Sequence, residues 1–250
     1  MKTEFGAAAN LFVLGCGRSG TSLVASLFAK AGFWMGDSPY KARDANPLGF
    51  FEDATVNQIN ENILLSAAKG RLQASPELLP FGRNWLARIP TETPMMPRPS
   101  ELESIALATR NRPFCLKDPR FCYTLAAWRP SAGQHKCICV VRNPAAVVTS
   151  ILKECRTAKY LQGVMITTEE AFELWRLMYR HVLSHHSYQG DWLFVPYEKL
   201  FASDALDRIE DFTEVRIDRS MPDIRYSRSK PDIALDQGTK RLYDELLALT

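Results

Sequence analysis

The stretch LFVLGCGRSGTSLVASLFAKAG, Leu11 to Gly32, limits what the rest of the chain can be. Leu11 to Leu14 is a short continuous apolar run, the pattern of a parallel strand buried on both faces. Gly15, Gly17 and Gly20 allow a tight turn with positive φ and a close approach of backbone to a ligand. From Thr21 onward, Leu23, Val24, Leu27, Phe28 and Ala31 recur at helical spacing, and Gly32 predicts the stop. Strand, glycine turn and helix in that order aim backbone N–H groups and the positive end of a helix dipole at one point. Such a point binds an anion, usually phosphate. Arg18, Ser19, Thr21 and Ser22 add side-chain donors.

The ordinary nucleotide-triphosphate loop reads G-x-x-x-x-G-K-[ST]. Gly15 and Gly20 keep that spacing, but Thr21 stands where the lysine belongs and the cation sits inside the turn as Arg18. This argues against an ordinary ATPase or GTPase. A turn whose glycines serve geometry alone is the simpler alternative; the arginine within it and the paired hydroxyls after it favour a ligand.

The rest of the chain alternates short apolar runs with helical periodicity. Phe33 to Met35, Phe114 to Leu116, Lys136 to Val141 and Trp192 to Val195 read as strands. Helices are predicted from Ala54, over Glu101 to Thr109, from Pro144 with Asn143 as N-cap, over Glu169 to His185, over Asp204 to Phe212 and over Thr239 to Leu249. The pattern predicts an α/β fold, a P-loop-like three-layer sandwich with a central parallel sheet and helices on both faces. Residues 1–10 read as a flexible tail, residues 11–250 as a single domain, and Ser220 to Pro231 as a polar, proline-bounded loop. Within the domain, 69–100 is an excursion rich in proline (Pro90, Pro94, Pro97, Pro99), read as a lid or substrate-facing loop or else as mobile surface.

Ligands of such sheets bind at the carboxyl ends of the strands. Arg18, Lys117, Arg142 and Tyr197 all fall there. Arg142 leaves its strand and Ser150 lies on the following helix, roughly 9 Å along the axis from Pro144. The two could share a second phosphate; on spacing alone, a surface arginine and an indifferent helical serine are the simpler reading.

Bulk properties exclude some partners. A net charge of +3 over 250 residues gives no reason to expect nucleic acid. The six cysteines lie among apolar neighbours with no CxxC pair, which predicts reduced, buried thiols and a cytoplasmic protein. No leader pattern and no stretch of ~20 apolar residues is present, so no membrane span is expected.

Taken together, Arg18-Ser19-Gly20-Thr21-Ser22 after one strand, and Arg142 with Ser150 after another, resemble the two signatures of the sulfotransferases that use 3′-phosphoadenosine 5′-phosphosulfate (PAPS). The resemblance runs from Leu11 to about Leu200 and is to the bacterial and tyrosylprotein-like branch, which carries arginine in the loop. It implies that Gly17 to Ser22 hold the phosphosulfate, that Arg142 and Ser150 clasp the 3′-phosphate, and that Tyr197 of Tyr197-Glu198-Lys199-Leu200 lies by the adenine. Lys117 of Lys117-Asp118-Pro119 resembles a lysine that approaches the transferring group. Cytosolic relatives place a catalytic histidine where this chain has Pro119, so no histidine base comes from this segment.

The implied reaction is in-line transfer of a sulfuryl group to a hydroxyl or amine, with Arg18 and Lys117 stabilising charge and no metal required. Glu52 is the candidate base, since its distance after the loop resembles that of the base glutamate in glycan and tyrosylprotein sulfotransferases, with Asp53 as fallback; the simpler reading of Glu52 is a carboxylate favouring a helix N-terminus. His181, His185 and His186 share one helix, but no orienting carboxylate is apparent, so a solvated or partly packed face is expected rather than a metal site. Two other functions stay open: a nucleotide kinase with a degenerate loop, taking Asp118 for magnesium, and a non-catalytic nucleotide-binding relative. The aromatics Phe33, Trp34, Phe50, Phe51 and Trp85 are candidates for an acceptor pocket or for core; a small-molecule, glycan or lipid acceptor is expected, with peptide also open.

Overall fold

The computed structural model describes residues 8–40, 49–69, 79–223 and 233–250. Most of the expected tail, the first part of the excursion at 70–78, and most of the loop expected over 220–231 lie outside the described residues.

Four parallel strands form the sheet: β1 (Asn10–Leu14), β2 (Cys115–Lys117), β3 (His135–Val141) and β4 (Asp191–Pro196), in the order β2-β1-β3-β4. Val13 pairs with Lys117 on one side, and Leu14 with Cys139 on the other. The chain winds outward from β1 to β2 and then crosses back to β3 and β4. The strand order therefore reverses between β1 and β3, and the crevice beyond their carboxyl ends is where this topology binds ligands.

Alternation along the strands sorts side chains into two cores. Phe12 and Leu14 join Cys137, Cys139 and Val141 on one face; Leu11 and Val13 join Ile138 and Val140 on the other. The first face is covered by α2 (Ala54–Lys69), α3 (Pro99–Ala108), α4 (Phe121–Ala132), α5 (Pro144–Thr157), α6 (Thr168–His181) and α8 (Gln237–Leu247); the second by α1 (Thr21–Ser26) and α7 (Ser203–Thr213). This is the three-layer α/β sandwich expected from the alternation of elements.

Three local expectations change. The helix after Thr21 ends at Ser26 rather than running to Gly32. The Ser26 hydroxyl takes the Leu23 carbonyl at 2.6 Å and the chain tightens into i→i−3 turns, so the helical ladder is broken by a local side-chain competitor. Phe33 to Met35 contributes a single bridge, Trp34 to Phe114, instead of a strand. And α4, which sequence patterning overlooks, follows Lys117 directly; Asp118-Pro119 punctuates its start and Pro130 sits in its last turn. One part of the described excursion joins the core. A 3-10 turn, Asn84–Leu86, buries Trp85, Leu86, Ala87 and Ile89 in the first core.

Candidate functional site

The glycine turn is built around what lies on either side of it. A Cβ at Gly17 would meet the Trp85 ring at 2.4 Å, and one at Gly20, which has φ +96°, would meet the Tyr197 ring at 2.2 Å. Only glycine lets both rings close on the loop. Between them Arg18 adopts φ +73°, an uncommon conformation for a residue with a side chain, of the kind that clusters at binding sites.

Arg142 continues β3 into the crevice. Its guanidinium lies 4.2 Å from the centre of the Tyr197 ring, and its Nη1 donates to the Arg18 carbonyl at 3.0 Å. Asn143 caps α5 through Ala145 and Ala146, as the Asn-Pro pair predicts, and this fixes where Ser150 falls. Arg18 Nε donates to Ser150 Oγ at 3.1 Å across 132 residues of sequence. Burial lowers the Arg142 pKa below the arginine value, and the nearby Arg18 charge pushes in the same direction. Two guanidiniums meet here, Arg18 on Ser150 and Arg142 on the Arg18 carbonyl, and a pair of cations at a strand end fits an anion.

The loop's hydroxyls divide. Tyr179 Oη lies 2.6 Å from the Val140 carbonyl and 3.1 Å from Ser19 Oγ. The phenol's one proton goes to the carbonyl, so Ser19 donates its own to the phenol and braces the loop from beneath. Thr21 is buried at the start of α1. Ser22 Oγ donates to the Phe50 carbonyl at 3.1 Å.

Phe50 is also where the third cation arrives. Lys117, at the end of β2 and 4% exposed, donates to the same carbonyl at 3.1 Å and forms a short ion pair with the Glu52 carboxylate. Phe51 stands between these two partners at φ +51°, a strained bend for an aromatic residue. Glu52 Oε2 accepts from Asn57 Nδ2 at 2.8 Å. Burial pushes the Glu52 pKa up, but Lys117, Arg120 and the two hydrogen bonds outweigh it, so the carboxyl is held below its ordinary value and is ionised at neutral pH.

The sequence matches the model of the "Sulfotransferase family" over residues 10–219. The chain belongs to the sulfotransferase family. Comparison with curated proteins gives no match. Among solved structures, the sulfotransferase domain of the Synechococcus PCC 7002 olefin synthase aligns with TM-score 0.56 at 17% identity, covering 99% of this chain and 98% of that one. The sulfotransferase domain from the curacin biosynthetic pathway aligns with TM-score 0.53 at 15% identity, covering 96% and 98%. At these identities the likeness is one of fold.

Within this sulfotransferase the remaining candidates separate by what they touch. Asp53 accepts from the backbone N–H groups of Ser38, Thr55 and Val56 at 2.7–3.0 Å, so it caps α2 and is occupied. Asp118, fully buried, takes Asn60 and two donors of Arg120, and Arg120 in turn pairs with Glu61. That network is internal: Asp118 has no exposed surface, and both of its carboxylate oxygens already accept from protein donors. His181, at the end of α6, and His185, on the π turn Val182–His186 that continues it, bond to the carbonyls of Ile89, Pro90 and Thr91 and fasten the excursion there. Among the described residues no cluster of three or more His, Cys, Asp or Glu is placed to hold a metal, and no helix is long and apolar enough to cross a membrane.

Two residues near the site escape sequence reasoning: Asn57, which holds Glu52, and Glu154, 3.9 Å from Arg18. Trp85, expected in an acceptor pocket or in the core, is buried and also covers Gly17. Only Glu154 left a trace: it follows Ser150 by four residues and so shares its helix face.

Proposed function

We propose that this sulfotransferase moves the sulfuryl group of PAPS to a hydroxyl or amine of its acceptor by in-line displacement. The observation that carries this reading is the joining of Arg18, Arg142 and Ser150, from two distant signatures, into one basic cluster beside a separate Lys117–Glu52 pair. PAPS carries phosphate at both ends of its ribose and an activated sulfuryl group, and this chain offers one cationic partner set for each. Backbone N–H groups of Gly17 to Ser22 face the phosphosulfate. Arg142 and Ser150 bind the 3′-phosphate, and Tyr197 borders the adenine.

Arg18 belongs with the nucleotide, since its guanidinium is directed at Ser150. Lys117 is then the cation at the transfer end. It neutralises charge as the bond to the leaving phosphate oxygen lengthens, where a preorganised donor does most for the rate. Glu52 accepts the proton of the acceptor as the new bond to sulfur forms. Localisation in the cytoplasm, the single-domain boundary at 11–250 and a lid role for the excursion belong to the same reading.

Calorimetric titration with the product nucleotide, 3′-phosphoadenosine 5′-phosphate, tests it. Binding that survives EDTA, exceeds that of ATP and is lost in Arg142→Ala is the expected result. A preference for ATP with magnesium would move the kinase reading forward, and no binding of either nucleotide would overturn the PAPS assignment.

A further inference from the structure

Glu154 is a carboxylate set into a cluster otherwise made for anions. It is 6% exposed, one turn beyond Ser150 on α5, and its Oε2 lies 3.9 Å from Arg18 Nη1. The same guanidinium donates to Ser150 at 3.1 Å, so Arg18 is held between the serine and the acid. On the other side Glu198 accepts from the Asn143 N–H at 3.1 Å and supports the charge of Arg142. The two guanidiniums therefore face two carboxylates. Tyr160, on the 3-10 turn Lys159–Leu161 that follows α5, completes the surround; burial and the Glu154 charge push its phenol up.

We propose that Glu154 is the built-in counter-ion of the nucleotide site: it balances Arg18 when no phosphate is bound, competes with phosphate for it, and so limits how tightly the product nucleotide is held. The inference rests on the PAPS reading above. Two like charges close together in a buried cluster are unfavourable unless compensated, so the carboxylate stabilises the nucleotide-free protein. Once phosphate arrives, the same carboxylate is a like charge beside it and raises the free energy of the complex. Both effects lower affinity. A site of cations alone would hold the product so firmly that release would limit turnover.

The test is the affinity of purified wild type, Glu154→Gln and Glu154→Asp for 3′-phosphoadenosine 5′-phosphate, with melting temperatures measured without nucleotide. Glu154→Gln should bind about tenfold tighter, release the nucleotide more slowly in a chase, and melt lower when nucleotide-free. Glu154→Asp draws the charge back by one methylene and should bind about threefold tighter, which decides the matter if the glutamine variant does not fold. A residue that merely packs would weaken binding when altered, the opposite sign. Wild-type binding with equal or weaker affinity in the variants overturns the counter-ion. Failure of wild type to bind at all overturns the PAPS reading, and this inference with it.

Discussion

At the end of β2, Lys117 and Glu52 touch, with Asn57 on the second carboxylate oxygen. At the end of β3, Arg142 bonds to the Arg18 carbonyl and Arg18 to Ser150, and the Glu154 carboxylate stands off from Arg18 at 3.9 Å. One end is a contact ion pair; the other is a pair of cations with loosely placed acids. The difference separates two tasks. A contact pair exposes little net charge and acts when a reacting group comes between its members. A guanidinium pair projects a positive potential that an anion answers on binding. Rate should therefore reside at the β2 end and nucleotide affinity at the β3 end.

Glu52→Gln is the strongest attempt to break that division. Loss of the proton acceptor should cut kcat by roughly 10²–10⁴, the usual range for general base catalysis, while the Kd for 3′-phosphoadenosine 5′-phosphate stays within about twofold. Steady-state turnover and calorimetry on the same preparation check it. Unchanged turnover would retire Glu52 as base; a large rise in Kd would show that the two ends are not separable.

Acid is a milder probe of the same pair. The Glu52 pKa is lowered from 4.5: burial alone would raise it, and Lys117, followed by Arg120, more than reverses this. A carboxyl depressed in the folded state adds stability that is complete above its unfolded pKa and lost as pH falls through the folded one. Melting temperature should thus fall more steeply for wild type than for Glu52→Gln once the pH drops below 4.5. The base form should also persist through the neutral range, so kcat should show no acid limb from Glu52 above that pH. Parallel melting curves would mean that the pair contributes nothing to the pH dependence of stability.

How far this arrangement could be read beforehand follows from how local each signal is. Gly17, Gly20 and the Asn143-Pro144 cap act on their own neighbourhoods, and the loop and the start of α5 were legible from them. Arg142 with Ser150 was ambiguous by spacing and became informative through resemblance. The helix α4 was hidden because Asp118-Pro119 and Pro130 look like punctuation, whereas Pro119 precedes the helix and Pro130 sits in its last turn. Asn57 carried no signal, and Trp85 stood out only as a pocket or core aromatic: each matters through a partner that only folding supplies, Glu52 for one and the loop backbone at Gly17 for the other. Glu52 was the candidate base and its neighbour Asp53 the fallback; the fold separates them, with Glu52 beyond the bend at Phe51 on Lys117 and Asp53 on the backbone of α2.

Ser22 gives the smallest effect and the finest cut, because it belongs to the loop but touches the transfer end. Its hydroxyl and Lys117 Nζ converge on the Phe50 carbonyl, each at 3.1 Å. If that is its role, Ser22→Ala removes one partly buried neutral hydrogen bond, a net loss of about 1 kcal/mol. Felt through Phe50 as a slightly misplaced Lys117, this should lower kcat by about two- to fivefold and leave nucleotide affinity unchanged. If the hydroxyl instead turns to the phosphosulfate when nucleotide binds, Kd should rise and kcat hold. The first result keeps affinity and rate on separate ends, with Phe50 as the joint between them. The second makes the loop common to both, and the division drawn from the two strand ends would have to be replaced by a single continuous site.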